Sequence, residues 1–210
     1  CNIIMQKKIF FSDEFQPEFG IPWEPVIADD ELALLPDEKL RDYAATRQQI
    51  DTQSEINPVG AGWTLPSWSL IFENWKKYNI HCLFGGSQSG KSTGGARFAL
   101  WAAATIPEAE VYALHVSEKR SIDDQQRFVE EAMPASLRAL DTKKGKHHSL
   151  QYTQQNGFTK DILILPPHRG FRRGGSIKFY NYAQYQQNDQ ILEGIKAHLI
   201  WLDEKVPLPL

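Results

Sequence analysis

Residues 85–92 read Gly85-Gly86-Ser87-Gln88-Ser89-Gly90-Lys91-Ser92, with Thr93 next, and fit the pattern G-x-x-x-x-G-K-[ST]. An apolar run, IHCLF over 80–84, precedes them, and a helix-forming run, STGGARFALWAAA, opens at Ser92. Strand, glycine loop and helix in that order let successive backbone N–H groups wrap an anion at a helix N-terminus, where the dipole favours negative charge. Lys91 is suited to neutralising β- and γ-phosphate oxygens, and the Ser92 hydroxyl to ligating Mg²⁺, which prefers oxygen donors. The expectation is an ATP-binding phosphate loop, Gly85 to Thr93, loaded with ATP and Mg²⁺. A glycine-rich turn that merely caps a helix is the plainer alternative, and the strand–loop–helix setting argues against it.

A second motif lies near the end of the sequence. The run HLIWLDE, from His198 to Glu204, is an apolar strand pattern ending in two carboxylates. Many strands end in a solvated Asp-Glu turn, so alone this decides little. Together with a phosphate loop it reads as a Walker B strand: Asp203 would hold Mg²⁺ through water, and Glu204 would orient the water that attacks the γ-phosphate.

Between the two motifs, short apolar runs recur at 111–116, 162–165, 177–182 and 199–202. Helical patterns cover 92–104 and 122–140, the second interrupted by Pro134. Buried strands alternating with helices argue for an α/β domain with a mainly parallel sheet flanked by helices. The 210 residues, 41% of them hydrophobic, suffice for one such domain plus peripheral material. The front differs in character. Residues 11–57 carry 12 acidic and 3 basic side chains, whereas 58–210 carry 14 and 18. Residues 11–36 read as an extended arm, 37–50 as a helix, and NPVGAG (57–62) as a linker, which divides the chain into an acidic arm and helix (1–57) and an ATPase domain (58–210).

No apolar stretch reaches membrane-spanning length, and the two cysteines, Cys1 and Cys82, fit a reducing compartment, with Cys82 expected in a buried strand. The opening Cys in place of Met is read as a lost N-terminus. Residues 141–155 read as an exposed loop; His147 and His148 within it have no metal-ligand partners at suitable spacing.

Arg169, Arg172, Arg173 and Lys178 cluster around glycines before the 177–182 run. They are either a solvated hairpin tip or a group that meets a DNA backbone or stabilises charge on ATP as an arginine finger. Lys119 and Arg120, just after the 111–116 run, are a second candidate for these roles. Trp63, Pro66, Trp68 and Phe72 would pack on the core or, less simply, on an adenine ring.

With both motifs placed, the chain resembles the ATPase half of the large terminase subunit, the motor that packages DNA into tailed-phage heads. Three stretches carry the likeness: LFGGSQSGKSTGGA (83–96), GGSIKFYNYAQYQQNDQILEG (174–194) and HLIWLDEKVPLP (198–209). The resemblance implies a P-loop NTPase fold of the ASCE type (additional strand, catalytic Glu). In it Lys91, Ser92 and Asp203 would bind Mg-ATP and Glu204 would be the catalytic carboxylate. It also implies double-stranded DNA, a portal and a small terminase subunit as partners, a homo-oligomeric ring, no membrane, and action in the host-cell cytoplasm. Some terminases carry an arginine inside the loop where this chain has Ser87, so the finger is expected from elsewhere. Six residues follow Glu204, so the reading expects a sheet left incomplete at that end and no nuclease domain. A helicase-like motor and a nucleotide-binding module without turnover are the alternatives.

Overall fold

The computed structural model describes residues 23–56, 58–65, 80–82, 89–134, 150–165, 174–187 and 196–203, together with Trp68, Asn74, Lys77, Leu137 and Arg138. Two short strands, β1 (Trp23–Pro25) and β2 (Gly62–Thr64), pair in parallel, and the helices α1 (Asp29–Leu32) and α2 (Asp37–Ile56) lie between them in sequence. Thus the 11–36 stretch, expected as an extended or poorly ordered arm, contains a strand and a helical turn. α2 also runs six residues past its expected end. It buries only Ile50, and its contact with β2 runs through Tyr43 and Asp51. The ring of Tyr43 sits 6.0 Å from that of Trp63, whose indole N–H donates to Asp51 Oδ1 over 2.7 Å.

The centre is a four-stranded sheet in the order β6 (Ile162–Ile164), β7 (Ser176–Asn181), β3 (Glu110–His115), β8 (Leu199–Leu202). β7, β3 and β8 run parallel, while β6 is antiparallel to β7. The sheet is therefore mixed, the β6–β7 hairpin being its antiparallel part. A two-stranded ribbon, β4 (Tyr152–Thr153) with β5 (Gly157–Phe158), stands apart. It overturns part of the loop expected at 141–155: Leu150 and Phe158 are buried, and Phe158 stacks on Phe179 of β7. The two histidines of that loop lie outside the described residues.

The helix α3 (Lys91–Thr105) is the hub of the core. Its second half, from Ala99 to Thr105, is buried on every side, because it packs on β3, β7 and β8 along one flank and on α5 (Arg127–Ala132) along the other. Alanines on both flanks allow that close double packing. The first turns carry Gly94 and Gly95, which cost helix stability in isolation. Here a Cβ on Gly94 would meet the Trp68 ring at 1.3 Å, and one on Gly95 would meet the Trp201 ring at 2.6 Å. Trp68, 6% exposed, is thereby a core residue and not an adenine platform.

Arg97 of α3 fastens the segment expected as a linker. Its guanidinium donates to the carbonyls of Pro58, Ala61 and Trp63 over 2.7–3.2 Å, while Val59 is fully buried. Burial lowers the Arg97 pKa from its usual value to about 10, still far above neutrality.

Helix α4 (Glu118–Arg120) and α5 are joined by a π-helical stretch, Ser121–Gln126. The run ends before Pro134, where Met133 turns to an extended conformation. In the π stretch Gln125 donates to the Leu114 carbonyl, and Gln126 accepts from the Phe158 N–H, so the extra residue per turn aims two buried amides at β3 and β5.

One strand expectation is corrected. Within the 80–84 run, Ile80, His81 and Cys82 are not in a strand, and Ile80 and Cys82 are exposed. A short apolar run does not itself supply a sheet neighbour, and these three residues pair with none of the described strands. Residues 83–84 lie outside the described ones. No described helix is long and apolar enough to cross a membrane.

A Cβ at Gly175, just before β7, would come 2.0 Å from the Ala103 carbonyl oxygen, a backbone atom that cannot step aside. Gly175→Ala is expected to lower stability by about 1–3 kcal/mol through overpacking, read as a lower urea midpoint at unchanged slope.

Candidate functional site at the carboxyl edge of the sheet

Two close approaches fix the direction of α3. Gly95, near its start, meets Trp201 near the carboxyl end of β8; Ala103, near its finish, meets Gly175 just before β7. The helix therefore runs antiparallel to β7 and β8, and its N-terminus arrives at their carboxyl edge. Gly90 precedes it with φ +73°, a left-handed conformation that a Cβ would strain, and its carbonyl accepts from the Gly94 N–H over 3.0 Å. Lys91 then donates from Nζ to Ser89 Oγ over 3.0 Å, so the lysine curls back toward the loop that precedes the helix.

Asp203 arrives at the same edge. Parallel pairing sets Leu202 level with Leu114, and His115 level with Asn181. The Asp203 N–H continues the ladder to the Leu114 carbonyl over 3.1 Å, which brings Asp203 level with His115. Strand alternation puts Trp201 on the α3 flank, and Asp203, two residues on, follows it there. Asp203 as a whole is 8% exposed. Two of the described oxygen donors at this edge, the Ser92 hydroxyl and the Asp203 carboxylate, are hard ligands of the kind that suits Mg²⁺ and not a softer metal. Among the described residues no cluster of three His, Cys, Asp or Glu side chains forms a metal site of another kind.

Of the expected loop, Ser89, Gly90, Lys91, Ser92 and Thr93 are described and lie together at the α3 N-terminus. Gly85, Gly86, Ser87 and Gln88 fall outside the described residues, as do Glu204, Arg169, Arg172 and Arg173. The strands that flank these arginines in sequence, β6 and β7, pair antiparallel. Lys178 lies on β7. It points at Glu110 Oε2 (3.2 Å) and the Tyr112 hydroxyl (3.0 Å); burial pulls its pKa down, but the hydrogen bonds to these two groups and their Coulombic attraction together outweigh that and leave it raised. Arg120 follows β3 on α4 and is exposed, 3.6 Å from Asp124 Oδ2. Asp124 lies 4.0 Å from Nε2 of the buried His115, whose Nδ1 accepts from the Val116 N–H over 2.9 Å.

Three polar residues at this edge escaped the sequence reading: His115, Asn181 and Tyr182. Each stands at or just past the carboxyl end of an apolar strand, the position that also marked Asp203. Asn181 ends β7 and caps α6 (Tyr182–Gln187) reciprocally with Gln184. The Gln184 N–H donates to Asn181 Oδ1 (2.8 Å) and the Asn181 N–H to Gln184 Oε1 (3.0 Å). The Tyr182 hydroxyl donates to the Asp203 carbonyl over 3.0 Å.

A family model described as terminase large subunit, T4likevirus-type, N-terminal, matches residues 82–209. The match takes in the glycine loop, the whole four-stranded sheet and the Asp-Glu pair. The chain belongs to this terminase large subunit family. Membership ties it to phage DNA packaging and to an N-terminal part that is generally associated with ATPase activity. Neither curated proteins nor solved structures gave a match.

The Asn181–Gln184 cap is expected to contribute about 1 kcal/mol. Asn181→Ala and Gln184→Ala, followed by chemical denaturation, should each lower stability, because each deletes the acceptor of the other residue's backbone N–H.

Proposed function

We propose that this terminase chain binds ATP with Mg²⁺ at the N-terminus of α3 and hydrolyses it, as the motor part that drives double-stranded DNA into a prohead. The observation that carries the reading is the convergence of the α3 N-terminus, with Lys91 and Ser92, on the edge and flank of the sheet that hold Asp203. That arrangement is what a P-loop NTPase of the ASCE type requires. Anionic phosphate oxygens would meet the first-turn N–H groups of α3 and the Lys91 ammonium, where dipole and charge act in the same direction. Ser92 and Asp203 would hold Mg²⁺, directly and through water. When bound, the ion neutralises charge that develops on the phosphate oxygens. Glu204, next to Asp203, would align the attacking water and take its proton.

Residues 58–210 would form the ATPase domain and 1–57 an acidic peripheral part. Arg169, Arg172, Arg173 and Arg120 are candidates for stabilising transferred charge or for meeting DNA phosphates, and Arg120 would first have to leave Asp124. By the family's role, the portal, a small terminase subunit and further copies of the chain in a ring would be its partners, acting in the host cytoplasm.

Two substitutions test the proposal. Lys91→Ala removes the charge that faces the phosphates, and ATP binding, followed by titration calorimetry, should be lost. Glu204→Gln keeps size and hydrogen bonding but removes the base. Binding should persist while phosphate release stops, and continued turnover in that variant would sink the assignment of Glu204.

A further inference from the structure

The π-helical stretch Ser121–Gln126 packs against the carboxyl end of β3 and is pinned there by its two glutamines, both fully buried. Gln125 donates to the Leu114 carbonyl over 3.1 Å, the same carbonyl that accepts the Asp203 N–H. Gln126 accepts from the Phe158 N–H over 2.8 Å and donates to Asp161 Oδ1 over 3.2 Å. Asp124, one residue before these anchors, is thereby held in place. Its Oδ2 lies 4.0 Å from Nε2 of His115, which is 1% exposed and stands level with Asp203 of the neighbouring strand. The Val116 N–H occupies Nδ1 of that imidazole, so a neutral His115 carries its proton on Nε2, on the side of the carboxylate.

Arg120 is the movable part. Its side chain is 62% exposed and meets Asp124 Oδ2 through one contact of 3.6 Å. The cation lies N-terminal to the anion, the weaker order for a helical pair four residues apart. A largely exposed pair of this kind is worth no more than about a fivefold change in an equilibrium. Two contacts, of 3.6 and 4.0 Å, thus separate the guanidinium from the imidazole beside Asp203, and the outer one is easily broken. A polyphosphate carries several charges to the carboxylate's one, so phosphates held near Asp203 compete for the same guanidinium.

We infer that Asp124, seated against His115, is a latch that holds Arg120 back from nucleotide bound at the α3 N-terminus. This rests on the ATP-binding reading given above. Before nucleotide binds, Arg120 stays on Asp124; bound phosphates draw it off, and nucleotide affinity is lowered by the strength of the latch. Asp124 and His115 are then positioning residues, and Arg120 is the group that meets the phosphates.

The test uses the full 210-residue chain and measures the Kd of Mg-ATP by titration calorimetry for the parent, Asp124→Asn, Arg120→Ala and the double variant. Asp124→Asn keeps the size of the side chain and opens the latch. ATP should then bind about two- to fivefold tighter, the range set by one exposed ion pair. Arg120→Ala should bind ATP no tighter than the parent, and adding Asp124→Asn to it should change the Kd by less than about 1.5-fold. Loss of a negative charge close to phosphates also tightens binding without any latch, but that general effect persists in the Arg120→Ala background. Parent-like or weaker affinity in Asp124→Asn overturns the inference, as does a gain that survives Arg120→Ala, or tighter binding by Arg120→Ala alone. In each of these cases ATP binding by the parent leaves the ATP reading standing. A parent that binds no Mg-ATP overturns the reading of the α3 N-terminus and the latch together.

Discussion

The described structure depends on how α3 is gripped. The helix is held between the sheet and α5, and only small residues let both neighbours approach. Ala96, Ala99, Ala102 and Ala103 supply that in its middle and end, and Gly94 and Gly95 at its start. The two glycines sit where Trp68 and Trp201 press against the helix, so the loss in helix propensity is offset by burial of two indoles. Because the tryptophans flank the first turns, they set where the helix begins, and so where Lys91 and Ser92 stand relative to β8. Packing and site geometry are the same set of contacts.

The edge that receives this helix end is built by register. Parallel pairing of β7, β3 and β8 makes the ends of three strands level, bringing Asn181, His115 and Asp203 into one row. Polar groups at that row are then fastened from the strands' sequels: Gln184 bonds the Asn181 N–H, Gln125 takes the Leu114 carbonyl, and Tyr182 holds the Asp203 carbonyl. An edge with its carbonyls and N–H groups committed in this way leaves side chains, and not backbone, to meet a ligand.

Much of this was legible in the sequence, for identifiable reasons. The strands near 111, 177 and 199 showed as apolar runs because both faces of a parallel strand are covered. α3 showed because the glycine loop fixes what must follow it. The Pro134 stop was equally plain, since the residue before a proline leaves the helical region. What stayed hidden depended on distant partners. The π-helical stretch looks like any helix until Gln125 and Gln126 are seen to reach β3 and β5. The β4–β5 ribbon is too short for a period. Ile80 and Cys82 belong to an apolar run yet are exposed, because hydrophobicity does not reveal whether a sheet neighbour exists. The motif singled out Asp203 and not Tyr182, whose hydrogen bond ends on another residue's main chain.

The clamp that Arg97 makes on the 58–63 segment has a consequence for what sequences that segment tolerates. Its guanidinium donates there to main-chain carbonyls, those of Pro58, Ala61 and Trp63. A carbonyl is the same in every amino acid, so the arginine reads the path of the chain and is blind to most of the side chains along it. Gly62 is the exception, with φ +151° and the guanidinium where a Cβ would be. The segment can drift in composition around that glycine, whereas inserting or deleting one residue would move every acceptor out of reach.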